Sequence, residues 1–263
     1  MSDLKLIIAR DPDEAEAAEV YVDGRIDGRA YRFLLDTGAA KTSVIADDYT
    51  ATFEPVGTDN SSGVFTPTRA DLITVPSISA GPVARQNFTL VRAAAGPGVK
   101  NLIGMDLLKD FCCHFFFDDS RVVVGGGGQE QRHAFQPLLL DQRFHPYLDV
   151  EFGDTRASAV WDTGASLTVV DAGFISRQPA FFAAAGRSTG TDAAGTQVET
   201  PLLVMSGAVI GGRAFSPHKV AAVDLSQVNA GIEVPMDMIL GYSTLRQANW
   251  LLDFPRRRWA LSK

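Results

Sequence analysis

The sequence predicts a mostly β protein folded as two similar β-barrel-like lobes with few short helices. Three observations predict it. An Asp-Thr-Gly tripeptide occurs twice in matching company, as Phe33-Leu34-Leu35-Asp36-Thr37-Gly38-Ala39 and as Ala159-Val160-Trp161-Asp162-Thr163-Gly164-Ala165, with the aspartates 162 − 36 = 126 residues apart. An apolar-apolar-Gly motif also recurs, Leu102-Ile103-Gly104-Met105 answering Ile239-Leu240-Gly241-Tyr242. Short apolar runs, punctuated by Gly, Pro, Asn and Ser, dominate the rest, a pattern of strands and turns. Recurrence in a fixed order is the signature of a duplicated unit.

Each element follows in chain order. Glu19 to Val22 and Tyr31 to Leu35 read as strands, the second leading into Asp36. The register of the repeat extends upstream, where Val22-Asp23 falls on Leu148-Asp149 and Ile26 on Phe152. Downstream, Thr42 falls on Thr168 and Val44 on Val170. Gly57-Thr58-Asp59 with Gly63 is echoed by Gly190-Thr191-Asp192 with Gly195. After each apolar-apolar-Gly motif comes a helical turn, Asp106 to Phe111 and Ser243 to Ala248, and then an apolar strand, Phe115 to Phe117 and Trp250 to Leu252. Tyr147 to Phe152 and Val220 to Val223 are further strands of the second half. Gly125 to Gly128, followed by polar Gln129 to His133, divides the chain into a lobe over 1–124, a linker over 125–136 and a lobe over 137–263. A glycine run cradles phosphate only where a helix follows with Lys-Ser or Lys-Thr, and neither is present.

Composition narrows the function. The chain has 263 residues, a net charge of −7, 46% apolar and 21% charged residues, ordinary globular usage. An acidic chain lacks the clustered cations that phosphate binding needs, so nucleic acid is not expected as a partner. No apolar run approaches the ~20 residues that span a bilayer, so no membrane partner is expected either. The start lacks a basic stretch followed by an apolar core, so no secretory signal is read there. Cys112 and Cys113 are adjacent and cannot staple distant segments. A reducing, cytoplasmic compartment fits. His114, His133, His145 and His218 show no metal-ligand spacing, and no Gly-x-Ser-x-Gly elbow of a serine hydrolase occurs. Neither a metal nor a cofactor is called for. Phe111 to Phe117 reads as core strand, and Arg256-Arg257-Arg258 as a solvated turn or the underside of the last strand.

The two aspartates carry the chemistry. Each ends a run of strand-forming apolar residues, which leaves its carboxyl partly desolvated, and the glycine two residues on permits a tight turn. Similar lobes can bring the two turns face to face. Two carboxylates within hydrogen-bond distance cannot both ionise easily and share a proton. One then takes a proton from water while the other gives one to a carbonyl oxygen.

These paired motifs resemble those of pepsin/retropepsin-type aspartic proteases, and Leu102 to Leu108 is similar to the retropepsin version. The resemblance covers both lobes and implies a bilobal acid-protease fold with the site between them. It implies that Asp36 and Asp162 are the catalytic pair and that Thr37 and Thr163 hydrogen-bond across the lobe interface. Gly38 and Gly164 would be the glycines whose backbone approaches substrate, with Ala39 and Ala165 beside them. Gly104 and Gly241 would pack beneath the loops. Gly57, Ser62, Gly63, Val64 and Phe65 fall on the flap hairpin that closes over substrate, and Gly190 and Gly195 on a second flap. Retropepsin dimers have two flaps and pepsins one, and both remain open here. Ala39 and Ala165 stand where pepsins carry Ser or Thr, which implies a working pH nearer neutral. The acidic residues that retroviral members carry after the Ala are replaced by Ala40-Lys41 and Ser166-Leu167.

The function implied is an aspartic endopeptidase, processing a peptide or protein substrate selectively with apolar side chains flanking the cut. Divergent halves imply an active monomer with pseudo-two-fold lobes, and the acidic first eighteen residues do not read as an inhibitory pro-segment. The alternative is a catalytically silent peptide-binding module of the same fold. Two carboxylates also serve glycoside hydrolysis, which the Asp-Thr-Gly repeat does not support.

Overall fold

The computed structural model describes residues 2–62, 67–125, 133–191 and 196–262. It is mostly β and bilobal, with few short helices. An eight-stranded sheet is built from residues 7–103, a ten-stranded sheet from residues 139–240, and a six-stranded sheet takes strands from both ends of the chain.

The first two sheets repeat one another pairing by pairing. In the first, Arg29–Leu35 pairs antiparallel with Ala18–Ile26 on one side and parallel with Leu102–Ile103 on the other. In the second, Thr155–Trp161 pairs antiparallel with Pro146–Phe152 and parallel with Met238–Leu240. The registers coincide: Leu34 lies beside Leu102 and Val160 beside Ile239. Ser43–Ile45 and Thr168–Asp171 each run antiparallel to the short strand of the apolar-apolar-Gly motif and parallel to a longer strand, Val83–Ala93 or His218–Val223. Burial alternates along these strands because only one face meets the core. Val20, Val22 and Ile26 are buried in the first half, and Leu148, Val150 and Phe152 in the second.

The halves differ where proline and glycine fall. Pro67–Ala80 and Val83–Ala93 are long strands, with Asn87 at a φ of 50° where the ladder skips Pro76. Their counterparts are each split in two. Ser206-Gly207 separates Gln197–Met205 from Ala208–Ile210, and Ser216-Pro217 separates Arg213–Phe215 from His218–Val223. Pro217 has no N–H for the ladder and a break falls at it, whereas Pro76 is passed by one skipped pair within a continuous strand.

The six-stranded sheet ties the halves together. Cys112–Phe116 pairs antiparallel with Asn249–Asp253, Cys113 opposite Leu252 and Phe115 opposite Trp250. Ser2–Lys5 and Arg121–Val124 extend it on one side, and Arg258–Ser262 and Gln136–Pro137 on the other. Its aromatic side chains and Trp161 form the centre of the core, with Phe115 4.7 Å and Trp250 6.0 Å from Trp161 between ring centroids. Arg256 and Arg257 lie in the turn before the last strand, which Arg258 begins. Glu14 and Glu16 reach the other half, where Glu14 bonds the Lys219 ammonium at 2.8 Å and Glu16 its backbone N–H at 2.8 Å.

Candidate active site

Asp36 and Asp162 sit one residue beyond Arg29–Leu35 and Thr155–Trp161. Their backbone N–H groups donate to Ile103 O at 2.9 Å and Leu240 O at 3.0 Å. Each aspartate is therefore held by the parallel partner strand of its own half, at the equivalent position. The structure brings the two turns together. Thr37 N donates to Thr163 Oγ1 at 3.2 Å, and Thr163 N to Thr37 Oγ1 at 3.1 Å. The Thr37 hydroxyl donates onward to Trp161 O at 2.9 Å. Both threonines are fully buried, so these bonds satisfy groups that have no access to water.

Gly38 and Gly164 lie where no side chain fits. A Cβ on Gly38 would stand 2.5 Å from Asp162 Oδ2, and one on Gly164 2.4 Å from Asp36 Cγ. The close approach gives the carboxyls their donors. Asp162 Oδ1 accepts from Gly164 N at 2.8 Å and from Gly38 N at 3.1 Å. Ala39 and Ala165 contribute backbone rather than side chain, Ala39 O accepting from Met105 N and Ala165 O from Tyr242 N, both at 2.8 Å. Gly104 and Gly241 pack beneath. A Cβ there would meet the carbonyl groups of Lys41 or Leu167 at 2.3–2.7 Å.

The two carboxyls are hydrogen-bonded to each other with unequal surroundings. Burial, the charge of Asp162 and the hydrogen bond to it hold Asp36 well above the ordinary carboxylate range. Burial also raises Asp162, but the N–H groups of Gly164 and Gly38, the bond from Asp36 and the charge of His145 act the other way. The N–H groups of Ala39 and Gly38 act on Asp36 in the lowering direction too, but the balance of these effects favours Asp36 as the holder of the shared proton. A proton donor and a carboxylate side by side can protonate one atom while deprotonating another.

Two hairpins rise from equivalent places in the two sheets. Pro55–Ser62 pairs with the start of Pro67–Ala80, and Phe182–Thr191 pairs with Gln197–Met205. Gly57 and Ser62 lie on the first and Gly190 on the second. Gly63, Val64, Phe65 and Gly195 lie outside the described residues.

The sequence reading missed several groups around the pair. Lys41, three residues after Gly38, bonds Asp59 of the first hairpin at 2.6 Å. The equivalent position in the second half is Leu167. Thr42 N and Oγ1 donate to Asp106, and Thr42 Oγ1 accepts from Gly104 N at 3.1 Å. In the second half Thr168 instead bonds Ser243 and Thr244, and His218 bonds Thr244 at 2.7 Å. The alignment of Thr42 with Thr168 was the available signal for this pair of supports. His145, bonded to Asp141 at 2.7 Å, carried none, because only metal spacing was sought among the histidines.

No curated protein matches the chain. Residues 22–107, the stretch that carries Asp36-Thr37-Gly38 and the Leu102–Ile103 strand with the glycine after it, match the family model for aspartyl protease.

Proposed function

We propose that the protein is an aspartic endopeptidase in which Asp36 and Asp162 act together on one water molecule. The observation that carries this is the pairing itself: two carboxyls from equivalent turns, bonded to each other and both held above the ordinary carboxylate range. Asp162 takes a proton from the water as its oxygen attacks the peptide carbonyl carbon. Asp36 gives its proton to the carbonyl oxygen, leaving a neutral tetrahedral diol. One hydroxyl then returns its proton to Asp36, Asp162 passes its proton to the amide nitrogen, and the carbon–nitrogen bond breaks. The threonine exchange keeps the two turns in one geometry throughout.

The two hairpins support an extended peptide as substrate, since their strands offer edges for backbone hydrogen bonds. They act as two flaps, one from each half. Ala39 and Ala165 place no hydroxyl beside the carboxyls, which fits a working pH nearer neutral. Selective processing by a monomer in the cytoplasm, through residues 1–124 and 137–263 as lobes and 125–136 as linker, completes the reading.

The test is cleavage of a diverse peptide library at several pH values by the parent, Asp36→Asn and Asp162→Asn. Cleavage by the parent, lost in both variants, is the expected result. Peptides bound and never cut by the parent would replace this reading with a silent binding module.

A further inference from the structure

The paired aspartates sit on a near-symmetric frame, yet their neighbours differ in charge. The ladder between Pro146–Phe152 and Thr155–Trp161 sets Tyr147 opposite Val160. His145 lies two residues before Tyr147 and Asp162 two after Val160, so both leave the same end of that ladder. That brings His145 near enough for its charge to act on the Asp162 carboxyl. In the first half Tyr21 stands opposite Leu34, with Glu19 two residues before the one and Asp36 two after the other. At this place in the repeat the second half carries a histidine and the first a glutamate.

His145 is held firmly. Phe144, at a φ of 66°, turns the chain back on itself. Buried Asp141 accepts from Arg143 N, His145 N and His145 Nδ1 at 2.9, 2.9 and 2.7 Å. A carboxylate only accepts, so Nδ1 carries a proton. Among the described residues Nε2 has no hydrogen-bond partner. On the neighbouring residues, Lys109 stands over the Phe144 ring at 4.2 Å, and the Tyr147 hydroxyl is committed to Val234 O at 2.6 Å. Glu19, by contrast, is engaged by the Tyr21 hydroxyl and the Lys100 ammonium.

Resting on the hydrolase reading above, we propose that His145 is a positioning residue: clamped by Asp141, it places a positive edge beside Asp162 and so fixes Asp162 as the base and Asp36 as the acid. The N–H groups of Gly164 and Gly38 and the bond from Asp36 already favour the carboxylate at Asp162, and the charge of His145 adds to them in the same direction.

Carbon-13 carboxyl NMR of the intact chain tests this without any substrate. In the parent, the Asp162 resonance is expected to titrate at lower pH than that of Asp36. In His145→Gln, Asp162 titrates at higher pH and the gap between the two narrows. Asp141→Asn, which frees the ring, moves Asp162 in the same direction. On a cleaved peptide, His145→Gln should lower kcat about tenfold with KM within about twofold, and move the acid limb of kcat/KM upward. His145→Lys, which keeps the charge, should restore the limb. An Asp162 titration unmoved in Asp141→Asn overturns the proposal even where His145→Gln fails to fold. Variants that move Asp162 as expected, beside a parent that cuts no peptide, overturn the hydrolase reading and leave the placement of the proton standing.

Discussion

Replacing Thr37 with valine tests whether one hydroxyl joins the two halves. The substitution keeps the side-chain volume and removes only the polar atom. In the structure that atom accepts from Thr163 N at 3.1 Å and donates to Trp161 O at 2.9 Å. Both partners are backbone groups of the other half. Each buried group left without a partner costs about 1–3 kcal/mol, so Thr37→Val, which leaves two, should cost about 2–6 kcal/mol. Thr163 is not its equal. Its hydroxyl accepts from Thr37 N at 3.2 Å, and Thr163→Val should cost about 1–3 kcal/mol. Thr37→Ser keeps the hydroxyl and should stay within about 1 kcal/mol of the parent, the usual size of a lost buried methyl. Equilibrium urea unfolding of the four proteins, read from midpoints at a common slope, gives the ranking. A Thr37→Val variant no less stable than Thr163→Val would refute the argument that the hydroxyl of Thr37 is the larger link.

Two more outcomes follow from the same geometry. Asp36 is held above its ordinary value of 3.8 by burial and by Asp162, so the unfolded chain gives up that proton first. The native state therefore loses stability as pH rises from about that value through the raised one. Asp36→Asn cannot ionise, and urea unfolding should find it more stable than the parent at neutral pH, with the gap closing below the ordinary aspartate value. A gap that widens on acidification would reverse the assignment. Lys41→Ala removes the ion pair that ties the first hairpin to the turn after Asp36. Because Leu167 stands at that position in the other half, hydrogen exchange should quicken in Pro55–Ser62 and leave Phe182–Thr191 unchanged. Equal effects in both hairpins would show that the pair is no local latch.

The strands around the site were legible because their information is local. Apolar alternation marked Tyr31 to Leu35 and Tyr147 to Phe152, and the structure extends these runs only to Arg29–Leu35 and Pro146–Phe152. The helical turns came out shorter and earlier, at Met105–Leu108 and Tyr242–Leu245. Each begins directly after its glycine, whose following N–H is taken by Ala39 O or Ala165 O, a partner more than sixty residues away that no local pattern contains.

By itself the sequence determined the duplicated β frame and the two aspartates at the ends of equivalent strands, since periodicity and repeated spacing are properties of neighbouring residues. Tertiary structure decided how the copies differ. Lys41 meets Asp59, and Glu14 meets Lys219, only after segments remote in sequence have docked. Whether a charge is a solvated bystander or a partner depends on what the fold sets against it, and a repeat that matches in its glycines and aspartates carries no record of that.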